Sequence, residues 1–336
     1  MEIKEKIDFV VTWVNSNDVE WQKKMNSQLK IMGKEQLMVG EERYHDFGFF
    51  KYWFRAVEKY ASWVNHIYLV TDSQVPSFYK NNKKVTIVDH KEFIPQEFLP
   101  TFSSSVIELF LDKIPGIEEK FVYFNDDMLL NNFVTPRTFF AEDGLPMDSA
   151  IPSVLQPVSK FDYIPFNNSL VINRNFPKKR VLKEHLNKFF SLKYGMTNIL
   201  KILLTIPFSN WSAFKIQHIP YSLRKEDYKM LRQYAQKEIN NTAKMHFRSE
   251  MDINIWLLME LRFMRGNFSP RSTSVGGYYD FDHVDVLIKS IRKGKEALIC
   301  INDDSQSKNL DEKIKISKDI IKALDNKFPN KSTVEF

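Results

Sequence analysis

Four short runs in the first 130 residues carry the strongest constraint on the fold: IDFVVTWV (7–14), HIYLVTD (66–72), KVTIVDH (84–90) and FVYFNDD (121–127). Each is β-branched or apolar, and polar residues close it or, after Val14, directly follow it. Between them lie stretches of helical character. RYHDFGFFKYWFRAVEKYASW (43–63) places Phe50, Phe54 and Val57 at helical spacing. LPTFSSSVIELFLDKIPG (99–116) begins with Thr and Ser capping candidates and stops at Pro115-Gly116. Strands alternating with helices predict an α/β fold, a mostly parallel sheet with helices on both faces. In open sheets of that kind ligands bind beyond the carboxyl ends of the strands. Asn15, Asp72 and the group Asn125, Asp126 and Asp127 all fall at such ends.

Two adjacent carboxylates closing a core strand admit two readings. Asn and Asp punctuate turns by bonding nearby backbone. Alternatively, a hard cation such as Mg²⁺ takes one or two carboxylates and completes its shell with substrate phosphates. Several polar strand ends on one rim favour the second.

The second half changes character. Residues 177–215 combine Lys178, Lys179, Arg180, Lys183, Lys188, Lys193 and Lys201 with a strongly apolar stretch. A basic amphipathic segment can lie on an anionic membrane surface; the plainer reading is a packed helical region with a solvated basic face. Residues 222–265 read as two helices, and the polar tail from Asn302 to Lys327 as one docked amphipathic helix. The organisation expected is an α/β core over 1–150, a mainly helical, membrane-facing part over 151–297 that completes the site, and a strand and helix over 298–336 docking on the core.

A net charge of +6 favours an anionic partner. Nucleic acid fits poorly, because paired strand-end carboxylates oppose a polyanion. A single cysteine, Cys300, rules out an internal disulfide framework and a cysteine-based zinc site. A reducing, cytoplasmic setting fits this usage, the N-terminal residues hold no secretory h-region, and no segment approaches the ~18–20 apolar residues of a membrane span.

With these residues in hand, longer wording becomes informative. IDFVVTWVNSND (7–18) resembles the opening signature of the Stealth family of sugar-1-phosphate transferases. Residues 43–78, LPTFSSSVIE (99–108) and FVYFNDDM (121–128) resemble its second block. HIPYSL (218–223) with FRSEMDIN (247–254) resembles the third, and LICINDD (298–304) the fourth. The wording leans toward bacterial capsular and receptor polysaccharide phosphotransferases. Ser16 stands where the first block usually has Gly, and Phe49-Phe50-Lys51 where animal members have Glu-Leu-Arg.

The resemblance implies a glycosyltransferase A-like nucleotide-binding fold and a reaction. An acceptor hydroxyl attacks the sugar-bound phosphorus of a UDP-sugar, sugar-1-phosphate is transferred, and UMP leaves. It implies Mg²⁺ or Mn²⁺ at Asp126 and Asp127, and donor contacts from Asn15, Asp18, Arg43 and Asn254. Glu108 is expected to face the donor. Arg248 is expected on phosphate oxygens, with His218 as base or as donor to phosphate. Asp252, four residues after Arg248, is read either as an ion-pair partner on one helical face or as a base. Asp8, at the start of its strand, is expected to be structural. The implied donor is a UDP-hexose or UDP-N-acetylhexosamine, and the acceptor a lipid-linked or growing glycan at the inner face of the plasma membrane. An ordinary metal-dependent glycosyltransferase releasing UDP is the alternative. A basic binding module without turnover is the non-enzymatic one.

Overall fold

In the computed structural model, residues 6–33, 47–303, 305 and 307–336 are described. Strands β1 (Ile7–Thr12), β2 (Ile67–Thr71), β3 (Val85–Asp89) and β4 (Lys120–Phe124) lie parallel in the order β3-β2-β1-β4. The short β5 (Met128–Leu130) follows β4. The large sheet is completed by β6 (Tyr221–Arg224), antiparallel to β4, with Tyr123 opposite Tyr221. A three-stranded sheet forms from β7 (Gly276–Asp280), β8 (Leu298–Asn302) and β5, in which β7 and β8 are parallel and β5 is antiparallel to β8. The expected mostly parallel α/β architecture is therefore the one observed.

Every residue of β2 is buried, and β1 and β4 are buried but for one terminal residue each. Continuous apolar runs with no exposed face are what a sheet covered on both sides requires. Aromatic rings fill the space beside it. Phe9 meets Phe124 at a centroid distance of 4.9 Å and Trp63 at 5.6 Å, and Trp53 meets Phe124 edge-on at 5.3 Å. Such edge and offset contacts add to the burial of large rings.

The main helices are α1 (Val19–Ile31), α2 (Phe50–Tyr60), α3 (Ser104–Glu108), α4 (Tyr163–Asn175), α5 (Met196–Thr205), α6 (Lys225–Ala243), α7 (Ile255–Met264), α8 (Val284–Lys293) and α9 (Leu310–Lys327). The long helix expected over 99–116 is cut down to α3 and a separate 3₁₀ turn at Leu111–Lys113. The segment holding Arg248 and Asp252 lies between α6 and α7 and is not helical, so these residues share no helical face.

The second half is bound to the sheet through charge as well as apolar packing. Arg262 of α7 is fully buried, and its guanidinium donates to Asp148 at 2.6 Å, to Asp227 at 3.2 Å and to the Ser222 carbonyl of β6 at 2.8 Å. A buried charge is tolerable only when paired in this way.

Candidate active site

The parallel strands β1, β2, β3 and β4 end on one rim because their registers run level: Thr12 pairs with Val70, Val11 with Phe124 and Thr71 with Asp89. The antiparallel β6 begins at that same rim, since Tyr221 lies opposite Tyr123 near the end of β4. Reversal of one strand is thus what carries His218, three residues before Tyr221, from the second half of the chain to the Asn125–Asp127 turn. His218 Nε2 lies 3.4 Å from Asp127 Oδ2 and 3.4 Å from the Asn125 side-chain nitrogen Nδ2.

Cys300 of β8 reaches the same carboxylate. Its thiol donates to Asp127 Oδ2 at 3.1 Å, and the Ile301 amide donates to the Asp127 carbonyl at 2.8 Å. Burial pushes the thiol well above its ordinary value, with the negative charge of Asp127 adding to the effect. Burial also raises Asp127, but the charge and hydrogen bond of His218 and the bond from Cys300 outweigh it, leaving Asp127 below the usual carboxylate range. For His218 burial favours the neutral ring, and Asp127 overturns this, raising the imidazole.

A chain of hydrogen bonds sets the imidazole. Asn254 caps α7, its side-chain oxygen accepting from the Trp256 amide at 3.1 Å. The Trp256 indole N–H, which can only donate, bonds the Tyr221 hydroxyl at 3.0 Å, and that hydroxyl lies 3.0 Å from His218 Nδ1. With Nδ1 engaged, Nε2 is the ring atom turned to Asp127.

Glu108, the last residue of α3, is buried, and its Oε2 accepts from the Ile255 amide at the start of α7 at 3.2 Å. Burial pushes its carboxyl up to about 7, against the lowering effects of that bond and of the charges on Arg248 and His218. Arg248 donates to Ser104 Oγ at 3.0 Å and lies over the Phe161 ring at 5.5 Å. Asp252 accepts from Ser249 Oγ at 2.7 Å. Burial holds its carboxyl above the usual value.

Asn15 and Asp18 build the loop after β1. The Asn15 backbone exchanges two 2.9 Å bonds with the Gln74 side chain, and its side chain accepts from the Asn17 amide at 3.0 Å. Asp18 caps α1, accepting from the Glu20 and Trp21 amides at 2.9 and 3.0 Å. Arg43 and Asp304 lie outside the described residues. Asp8 has the structural place expected of it, accepting from the Asn65 side chain at 2.7 Å and the Glu118 amide at 2.8 Å.

Whether the rim suits a divalent cation can be asked of Asp127 itself. Both side-chain donors, Cys300 and His218, converge on Oδ2, while Oδ1 is buried with no hydrogen-bond partner among the described residues. A buried carboxylate oxygen left unpaired is costly, and a cation would satisfy it. Asp126, exposed beside it, offers further oxygen atoms. The residues fit Mg²⁺ or Mn²⁺ through oxygen. One cysteine rules out a site built on cysteines, but ligating atoms of Asp127, His218 and Cys300 lie within 4.8 Å of one another. Such a mixed O, N and S set also suits Zn²⁺.

Tyr221, Trp256 and Cys300 are absent from the sequence-based site. Tyr221 stands three residues after His218, a local clue. The Cys300 contact depends on β5 and β8 pairing across 170 residues, for which the sequence has no local signal.

Similarity to known proteins gives the family. Residues 5–29 match the model described as Stealth protein CR1, conserved region 1, and residues 43–148 match Stealth protein CR2, conserved region 2. The exopolysaccharide phosphotransferase cps2G of Lactiplantibacillus plantarum is 42% identical, over 98% of this chain and 96% of its own. A capsular polysaccharide phosphotransferase WcwK of Streptococcus pneumoniae is 41% identical, over 100% and 99%. The receptor polysaccharide phosphotransferase WefC of Streptococcus gordonii is 37% identical, over 98% and 99%. Among solved structures, the apo form of glycosyltransferase GlyE of Streptococcus pneumoniae TIGR4 aligns with 98% of this chain and 64% of its own, at 11% identity and a TM-score of 0.40. The full-length phosphotransferase relatives make the protein a transferase, and its own strands form an α/β sheet. It belongs to the Stealth family.

Proposed function

We propose that this protein transfers a hexose-1-phosphate from a UDP-sugar to a hydroxyl of a glycan acceptor, releasing UMP and building phosphodiester links into a capsular or exopolysaccharide. The observation that carries the reading is the convergence of Asp127, His218, Glu108 and Arg248, from four separate segments, beside the carboxyl rim of a parallel sheet. Full-length relatives named as polysaccharide phosphotransferases support the chemistry.

The donor is a UDP-hexose or UDP-N-acetylhexosamine, and the acceptor a lipid-linked or growing glycan at the cytoplasmic face of the membrane. Asn15, Asp18 and Asn254 shape the loop and helix start that border the donor, and the family resemblance assigns Arg43 a further donor contact. Arg248 presents two N–H groups in a fixed fork to phosphate oxygens, a geometry that lysine does not match. Mg²⁺ or Mn²⁺ held by Asp126 and Asp127 supplies neutralisation of the diphosphate charge. The acceptor oxygen forms the new bond to the sugar-bound phosphorus, the bond to the bridging oxygen breaks, and that oxygen departs with UMP. The proton of the attacking hydroxyl passes to a base on this rim, for which His218 and Asp252 are the candidates. Glu108 orders the rim by tying α3 to the start of α7.

The test uses UDP-sugars labelled at the β-phosphate, Mg²⁺ or Mn²⁺, and a glycan acceptor. Release of UMP with label retained in the glycan is expected. Release of UDP, with label leaving the sugar, overturns the proposal in favour of plain glycosyl transfer.

A further inference from the structure

Helix α5 is amphipathic in the inverse sense. At 100° per residue, its buried residues Ile202 and Thr205 share one face with the half-buried Asn198. The opposite face carries Met196, Leu200, Leu203 and Leu204, all turned to solvent, with Met196 65% and Leu204 74% exposed. Leu192, just before the helix, is 80% exposed. Eight of the 22 exposed large apolar side chains among the described residues fall between Leu186 and Phe208. A surface helix that turns its leucines outward and docks by a narrow, partly polar face marks an interaction site.

Charge identifies the occupant. Residues 177–215 hold eight Lys or Arg against one acid, Glu184, a net of +7 where the whole chain carries +6. The excess positive charge of the protein is therefore concentrated around this helix. Part of it is structural and must be set aside. The Lys178 ammonium is buried, donating to the Thr205 and Phe208 carbonyls at 2.5 and 3.2 Å, where it closes the end of α5. Lys188 likewise donates to the Gly266 and Phe268 carbonyls at 2.5 and 2.8 Å. Lys179, Lys183, Lys193 and Lys201 remain exposed. Lys193 and Lys201 flank the apolar face in sequence and have stems long enough to lie along it with their ammonium groups at headgroup level.

We infer that α5 and the turn before it form an in-plane membrane anchor for an anionic bilayer, with Leu192, Met196, Leu200, Leu203 and Leu204 entering the acyl boundary and Lys193 and Lys201 at the phosphates. Ten residues make a helix of about 15 Å, about half of what spans a bilayer, so the helix lies on the membrane rather than across it. No helix among the described residues is long and apolar enough to cross. The inference rests on the proposed transfer only in that a lipid-linked acceptor gives the anchor its purpose; the surface itself stands on exposure and charge.

Vesicle flotation tests it. The wild-type protein is expected to float with phosphatidylcholine vesicles containing about a third phosphatidylglycerol, and not with phosphatidylcholine alone. Replacing Leu200→Ser, Leu203→Ser and Leu204→Ser together lowers the bound fraction at least about tenfold. Lys193→Glu with Lys201→Glu removes the preference for anionic lipid and its sensitivity to salt. Both variants keep wild-type release of UMP with a water-soluble acceptor, because none of these residues belongs to the rim. Failure of the wild type to float, or flotation of the triple variant as wild type, overturns the anchor. So does sedimentation velocity showing a dimer that the triple variant dissolves, which would assign the face to a second copy. A protein that floats but releases no UMP leaves the anchor standing and defeats the transfer.

Discussion

The thiol of Cys300 is a donor to Asp127, held neutral by burial, and this determines how it will behave as a reagent. The thiolate is the reactive form of cysteine; here burial and the Asp127 charge both oppose it. As Cys300 is the chain's one cysteine, labelling reports on it alone. A water-soluble disulfide reagent is expected to leave the native protein unlabelled and to modify one thiol per chain in denaturant. Native labelling at the rate of a free thiol would contradict the buried contact with Asp127. Tyr221 offers a second residue-scale test. Tyr221→Phe removes the hydroxyl between the Trp256 indole and His218 Nδ1 while keeping the ring that packs beside Tyr123. Two hydrogen bonds are lost, each worth about 1 kcal/mol, and the one to Nδ1 bears on the imidazole, so kcat is expected to fall roughly five- to tenfold with KM for donor little changed. Asp127→Asn should cost far more, about 10² to 10³ in kcat, the scale on which charge stabilisation is lost. Equal losses in the two variants would mean that Asp127 has no more than a scaffold role.

Elements explain why some of this was legible in the sequence and some was not. Strands β1, β2 and β4 are legible because burial on both sides demands apolar runs, β3, partly exposed, because its residues are β-branched, and the polar residues that close or follow them mark the rim. His218 and Arg248 are legible only through family wording. Nothing local in HIPYSL tells that β6 runs antiparallel and so starts at the rim, or that residues 244–254 leave the helix and let Asp252 turn to Ser249. Helix α7 reads simply as apolar, yet within it lies Glu260, buried, its carboxyl pushed up to about 8 by burial. The sign follows from linkage. A carboxyl near 4.5 when unfolded and near 8 when folded binds its proton more tightly in the native state. Its contribution is complete below about pH 4.5 and is lost as pH rises toward about 8. The slope it adds approaches about −1.4 kcal/mol per pH unit inside that window. Denaturant titrations at several pH values should show Glu260→Gln flattening this decline relative to wild type. A parallel pH dependence in both proteins would place the titration elsewhere.

At the scale of the whole molecule, the C-terminal residues close over the helix that covers the sheet. Arg55 of α2 donates two hydrogen bonds to Glu335, at 2.7 and 2.6 Å, and a third to the Phe328 carbonyl at 2.9 Å. Tyr52, one turn away, donates to Asp325 at 2.7 Å, and the Lys80 amide reaches the Val334 carbonyl at 2.6 Å. Both charged partners of the Arg55–Glu335 pair are nearly buried, with side chains 9% and 4% exposed. Glu335 is lowered despite burial, because Arg55 and the Ser332 backbone outweigh desolvation. A buried pair costs most when one member is removed, since the other is left charged in a poor solvent. Glu335→Ala is thus expected to destabilise by about 3–5 kcal/mol, and Arg55→Met by a similar amount. The double variant should lose much less than the sum, because neither charge remains to be stranded. The contact joins residues 280 positions apart, so it reports on closure of the chain as a whole rather than on one element. If urea unfolding gives losses that simply add, the two side chains do not share a buried contact and the C-terminal residues are not the clasp described here. If the single variants lose stability and the double recovers most of it, the N-terminal sheet and the C-terminal tail unfold as one body. The rim would then depend for its shape on a tail that contributes no residue to it.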